Sequence, residues 1–310
     1  MAGIRETASN LLEYAGVRSK NYYHSATVPS FDPDDPLAYY LDQSFRSGYG
    51  GPFDAEGIPL YVFQDKGDYL PVLIGFYALG HLERYRCDKS DESLGKFLKV
   101  ADWLVSTQAA DGTWRSSFAM PRFKLPPGIP SAMVQGVAIS SLVRGHIVTG
   151  KAAYLESAER ALAPFQIDVR DGGVTSHEGG RPFYEEYPSD PCHHVFNGFL
   201  YAVWGLYDLV RFNGNAEAQK LYDEGLATFV DWLPRFDIGY WSLYHISEGP
   251  RNPATIHYQR LHVDQLEVMH AVTGLDIFAQ YRALWQAYLN GRFNALRTLP
   301  AKLRWRLFGS

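Results

Sequence analysis

Ser131-Ala132-Met133-Val134-Gln135-Gly136-Val137-Ala138-Ile139-Ser140-Ser141-Leu142-Val143-Arg144-Gly145-His146-Ile147-Val148-Thr149-Gly150 is the stretch whose reading decides the fold. It is apolar on nearly every helical face, too long for a strand, and stops at a glycine suited to a left-handed C-terminal cap. Three further stretches share this character: Tyr69 to Tyr85, His193 to Asn213 and His257 to Thr273. Counted from Tyr69, Ser131, His193 and His257, the starts lie 62, 62 and 64 residues apart, which marks a repeat. Gly214 and Gly274 close two of them as Gly150 closes this one, and a more charged helix follows almost at once. The expected partners are Glu92 to Thr107, Ala152 to Gln166, Ala216 to Trp232 and Ile277 to Leu289, each the outer member of a tight helical hairpin. The first three end in related punctuation, Asp111-Gly112-Thr113-Trp114, Asp171-Gly172-Gly173-Val174 and Asp237-Ile238-Gly239-Tyr240-Trp241, and a long Pro-rich loop follows each. The pattern predicts a mainly α chain, an (α/α) toroid or barrel of about four hairpins, with an open solenoid as the alternative.

Around the repeat (68–290), residues 1–67 carry turn signals such as Pro33, Pro36, Gly50-Gly51 and Pro52, and read as an irregular or partly β arm packed on the barrel. Residues 291–310 form a basic amphipathic tail in which Arg292, Arg297, Lys302, Arg304 and Arg306 interleave with Phe293, Leu296, Leu303, Trp305, Leu307 and Phe308. Such a tail is compatible with anionic lipid, with a docked helix, or with a frayed end; a second copy of the chain is a compatible partner. With 29 Lys and Arg against 34 Asp and Glu, the net charge of −5 offers no global basic field for nucleic acid. Met1 to Tyr23 mixes Arg5, Glu6, Glu13, Arg18 and Lys20 into its apolar positions, and no apolar run is long enough to span a bilayer. The expectation is a cytoplasmic protein, at most peripheral at the inner membrane face. Cys87 and Cys192 stand alone, which gives no disulfide framework, and His193-His194 lacks a carboxylate at metal-ligand spacing, so no metal site is expected.

The candidate chemistry begins in the second long loop, at Phe183-Tyr184-Glu185-Glu186-Tyr187-Pro188, with Arg181 just before it. Two carboxylates, two phenols and a guanidinium offer proton-transfer and anion-binding groups together, and the proline keeps Tyr187 out of a helix. The first loop adds Arg122 and Lys124, and the third adds Tyr244, Arg251 and Tyr258. Each loop runs into the N-terminus of an inner helix, where unpaired N–H groups favour an anionic ligand. Gln135 and Asn197 are polar residues inside inner helices that serve either substrate hydroxyls or neighbouring backbone. His262 recurs one turn after Tyr258 and reads as a buried, hydrogen-bonded histidine ahead of a base. Trp114 and Trp241 read as structural wedges.

Ser131-Ala132-Met133-Val134-Gln135-Gly136, Tyr184-Glu185-Glu186-Tyr187-Pro188, Asn197-Gly198-Phe199, Gly205-Leu206-Tyr207-Asp208, Trp241-Ser242-Leu243-Tyr244, and Tyr258 with Leu261-His262-Val263-Asp264-Gln265-Leu266 follow one another in an order that resembles the C-terminal catalytic domain of D-glucuronyl C5-epimerases. The resemblance covers about Gly57 to Leu289. It implies an (α/α) barrel that converts D-glucuronate to L-iduronate residues in a heparosan- or heparan-like glycan by C5 proton exchange, without a redox cofactor. It places the functional group on Glu186, Tyr187, Tyr244 and Tyr258. The animal enzymes also carry a β-rich region and a membrane anchor that this N-terminus does not match in full. Where they have an Arg three positions after the third-loop Tyr, this chain has Ser247, so Arg251 or Arg260 are the candidate replacements.

The C5 hydrogen lies α to a carboxylate, so its removal requires that the substrate charge be neutralised; Arg144, Arg181, Arg251 and helix N-termini are candidates. Inversion needs groups on opposite faces. Tyr187 and Tyr258 suit that pair, with Glu186 as base or as the activator of a phenol, and Tyr244 as donor or positioner. Glu185, Arg122, Gln135, Asn197, Arg260 and His262 complete the expected substrate contacts. Two other functions fit: a lyase, in which the same carbanion expels the C4 substituent, and a glycan-binding toroid without catalysis. A glycoside hydrolase does not fit, because no carboxylate pair across a scissile bond is evident.

Overall fold

The computed structural model describes residues 29–63 and 66–308. Helices dominate them, in the expected hairpin series: α1 (Pro71–Asp88) with α2 (Asp91–Thr107), α3 (Ala132–Thr149) with α4 (Ala152–Arg160), α5 (Phe196–Asn213) with α6 (Ala216–Trp232), and α7 (Ile256–Thr273) with α8 (Asp276–Asn290). The helix expected to run to Gln166 breaks at Arg160 and resumes as a 3-10 turn, Ala163–Gln166. Pro164 lacks the N–H that would continue the α-helical ladder. Gly150, Gly214 and Gly274 cap α3, α5 and α7 at φ of 71°, 60° and 70°. In the first hairpin the left-handed cap is Lys89, at φ 57°. Strands among the described residues form three antiparallel pairs: β1 (Tyr61–Phe63) with β2 (Lys66–Asp68), β3 (Thr175–Glu178) with β4 (Arg181–Tyr184), and β5 (Leu243–His245) with β6 (Asn252–Pro253).

Chain contacts divide the molecule into two compact units, the larger spanning Ser30–Asp231 and the smaller containing Trp232 onward. In the larger unit α3 is buried without a break from Ala132 to Gly145, which is why its sequence shows no polar face. It meets α5 glycine to glycine: a Cβ on Gly136 would collide with the backbone of Tyr201 and Ala202, and one on Gly205 with the backbone of Gly136. Substituting either forces the two helices apart. The arm contributes Ala38, Tyr39, Tyr40 and Leu41, all fully buried or nearly so. Tyr40 stacks on Trp204 at 4.8 Å and donates its hydroxyl to Asp208 Oδ1 at 2.9 Å. The Asp208 carboxylate also pairs with Arg144 at 2.6 Å, with both side chains fully buried, and Arg144 Nη2 donates to the Ala38 carbonyl at 2.8 Å. Residues 1–28 of the expected arm lie outside the described residues.

In the smaller unit, α7 and α8 form the last hairpin, and Trp285 anchors it by donating Nε1 to Asp237 Oδ2 at 2.7 Å. The tail folds as two short helices, α9 (Asn294–Arg297) and α10 (Leu299–Phe308). Trp305 is buried against His245, and Lys302 donates to the Pro253 carbonyl at 2.9 Å. No helix among the described residues is long and apolar enough to cross a membrane.

Candidate active site

In the larger unit the strand pair β3–β4 leads straight into the Glu185-Glu186-Tyr187 segment, where the two adjacent carboxylates take different surroundings. Glu185 points inward. Its Oε1 accepts from Ser176 Oγ at 2.5 Å and contacts His194 Nδ1 at 2.6 Å, while His194 Nε2 lies 3.2 Å from Glu178 Oε2. The tertiary fold therefore brings two carboxylates to His194 that local spacing does not show. Among the described residues no group of three or more His, Cys, Asp and Glu side chains has a metal-holding arrangement.

Glu186 lines a cavity of about 160 Å³ together with Tyr187. The other walls include Leu70 and Val72 at the start of α1, Ser131 and Met133 at the start of α3, and Phe118 from the first long loop. Burial in this largely apolar setting pushes the Glu186 carboxyl up to about 7; a hydrogen bond from Tyr187 opposes the shift, and the Glu185 charge adds to it. Gly198, in the first turn of α5, makes room for the carboxylate: a Cβ there would run into Glu186. Tyr187 is stacked on Phe123 at 3.9 Å with the rings 13° from parallel, and Phe123 meets His193 edge-on at 5.1 Å. The backbone is tied down as well, since the Ala132 N–H donates to the Glu185 carbonyl at 2.9 Å. Two helix N-termini thus border a cavity that holds a poised carboxyl and a phenol.

The smaller unit holds a second phenol cluster. Tyr244 on β5 and Tyr258 in the first turn of α7 lie 4.6 Å apart, ring to ring, at 60°. Below them the Ser242 hydroxyl donates to Gln259 Oε1 at 2.7 Å, so its oxygen is placed to accept from His262 Nδ1, 2.8 Å away. His262 is fully buried, and desolvation, with His257 adding to it, holds its pKa well below that of a free imidazole. It is neutral, as the reading of a buried, hydrogen-bonded histidine requires.

Several expected substrate contacts are structural instead. Arg144 is fully buried and committed to Asp208 and Ala38, so the expectation that it neutralises a uronate is corrected. Gln135 is likewise fully buried. Its Nε2 donates to the Gly112 and Ala161 carbonyls, and its Oε1 accepts from the Trp114 N–H at 3.1 Å. Gln259, in the same position of α7, accepts from the Ser242 N–H at 2.9 Å, so one device recurs in two repeats and clamps the punctuation after an outer helix. The Trp wedges behave as expected, with Trp114 Nε1 on the Leu104 carbonyl and Trp241 Nε1 on the Ala254 carbonyl. Tyr184 is also structural, donating to the Leu221 carbonyl at 2.6 Å. Asn197 is buried one residue before Gly198. Arg181 is exposed and pairs with Asp231 at 2.7 Å, and Arg122, Arg251 and Arg260 are exposed on their units. Sequence reasoning passed over Phe123 and Ser176, weighed His194 only as a metal ligand, and took Gly198 only as part of a motif, with no place at the site. Only Gly198, a glycine inside an apolar helix, left a readable signal.

Residues 108–287 match the family model described as D-glucuronyl C5-epimerase C-terminus. The chain is 33% identical over 246 residues to the D-glucuronyl C5-epimerase of Caenorhabditis elegans, covering 73% of this chain and 40% of that protein. It therefore spans about two fifths of the length of the nematode enzyme. It is also 32% identical over 296 residues to the uncharacterized protein MJ1128 of Methanocaldococcus jannaschii, covering 86% of this chain and 92% of that one. The matched span runs from the end of α2 into α8 and takes in Glu186, Tyr187, Tyr244 and Tyr258. By that match, and by the order of its motifs, the chain belongs to the D-glucuronyl C5-epimerase family through that family's C-terminal domain.

Proposed function

We propose that this chain is an isomerase that converts D-glucuronate to L-iduronate residues within a heparosan-like glycan by exchanging the C5 proton. The observation that carries the reading is Glu186, a cavity-lining carboxyl raised to about 7 by burial beside the Tyr187 phenol. A base with that pKa is half ionised at neutral pH and still strong enough to accept a proton, the compromise that general-base catalysis favours. The C5–H bond breaks, its proton passes to Glu186, and the electron pair moves into the substrate carboxyl as an enediolate. The N-termini of α1 and α3 beside the cavity favour the negative charge that develops there. A proton then returns to C5 on the opposite face. Inversion requires a second proton carrier, and a phenol supplies one without further cofactor; by resemblance to the family, Tyr187, Tyr244 and Tyr258 are the candidates. Arg122, Arg251 and Arg260 are the arginines proposed to meet substrate carboxylates.

The test is incubation with a heparosan-type polymer in deuterated water, followed by NMR. Deuterium at C5 together with iduronate signals supports the proposal. A UV-absorbing 4,5-unsaturated end would show a lyase instead, and the absence of exchange on every uronate polymer tried would leave only a glycan-binding domain.

A further inference from the structure

The tail of the smaller unit segregates charge from the rest of the chain. Residues 291–310 hold five Arg and Lys and no Asp or Glu, so with a total of −5 the remaining residues sum to −10. The tail also concentrates exposed apolar side chains: Phe293 is 64%, Leu307 66% and Phe308 71% exposed, with Leu296 and Leu303 also outward. On α10, Leu303, Leu307 and Phe308 share one outward face with Arg304, while Trp305, 6% exposed, points inward on His245. The helix is therefore held by Trp305 and by Lys302 on Pro253, and these contacts leave its apolar face turned to solvent. Arg297 is spent within the unit, stacked on Tyr240 at 4.1 Å.

We infer that α9 and α10 seat the protein on an anionic bilayer surface, with Phe293, Leu303, Leu307 and Phe308 in the acyl boundary and Arg292 and Arg304 at the headgroups. Apolar side chains outward with cations at their flanks is the pattern of an interfacial helix. Recognition of a polyanionic glycan by charge alone gives no reason for Leu303, Leu307 and Phe308 to lie outward beside Arg304. The acid-free tail gives the charge complement, since basic residues near anionic lipid each strengthen partitioning by roughly fivefold.

The probe is cosedimentation of the full chain with vesicles of phosphatidylcholine alone or of equimolar phosphatidylcholine and phosphatidylglycerol. Binding is expected only to the anionic vesicles and should weaken with added salt, as the screening length shortens to about 8 Å at physiological ionic strength. Arg304→Gln should lower the partition roughly fivefold. Leu307→Glu with Phe308→Glu should lower it by more than about tenfold. Both changes lie on solvent-facing positions, and turnover of free polymer should be unchanged, so failure here is separable from failure of the epimerase reading. Equal binding to both vesicle types, or none, overturns the inference. So does a double variant that binds vesicles like the parent but loses self-association in sedimentation velocity, or loses affinity for heparosan-type polymer.

Discussion

The Glu186–Tyr187 cavity and the Tyr244–Tyr258 cluster are built on the same hairpin plan but differ in electrostatics. Each sits beside an inner helix whose fourth residue, Gln135 or Gln259, clamps the punctuation of the preceding repeat. In the larger unit a carboxyl is buried and its pKa rises to about 7. In the smaller unit the buried titratable group behind the phenols is His262, which burial keeps neutral. One frame thus supports two acid–base settings, and the difference lies in which side chain the frame desolvates.

The largest expected effect breaks that comparison at its carboxyl. Glu186→Gln should reduce C5 deuterium exchange by about a thousandfold. Exchange by the parent should rise with pH through about 7 as Glu186 loses its proton. The folded-state pKa lies above the ordinary 4.5, so the folded chain keeps this proton longer than the unfolded one, and stability falls as pH rises from about 4.5 to about 7. Glu186→Gln should therefore be more stable than the parent above pH 7, by about 3 kcal/mol, and equal to it below about pH 4. Urea denaturation at the two pH values checks the sign.

Next come the phenols. Tyr187→Phe and Tyr258→Phe should each lower exchange by about a hundredfold with unchanged thermal midpoints. If Tyr258→Phe exchanges at the parent rate, the smaller unit's cluster is structural and Tyr258 drops out as a candidate carrier. A smaller effect should be shared by both regions. Gln135→Ala and Gln259→Ala each orphan buried backbone groups, and each should cost about 2 kcal/mol of stability; unequal losses would show that the clamps are not equivalent. The smallest change sharpens the carboxyl's position. Gly198→Ala pushes on Glu186, and exchange should fall roughly tenfold with KM little changed, measured by initial rates.

The repeat and most of its helix ends were legible in the chain, and the candidate acid–base residues were named there from the motifs. Periodic apolar segments closed by Gly150, Gly214 and Gly274 predict hairpins because only a residue tolerant of the left-handed region stops a helix that way, and such signals are local. Lys89 shows the limit, since it takes the same conformation without the glycine that would announce it. Arg144 shows a deeper one. Its sequence neighbourhood suits an anion-binding site as well as a buried pair, and the decision depends on Asp208, 64 residues away. Likewise, two adjacent glutamates look equivalent in the chain, yet Ser176 and His194 take Glu185 inward while Gly198 leaves space for Glu186 beside the cavity. Residue order by itself determined the helical hairpins and the inventory of chemical groups, because capping and periodicity are short-range. Which of those groups is desolvated, paired or poised was decided only by the tertiary structure, because burial and pairing depend on partners that the chain brings in from distant repeats.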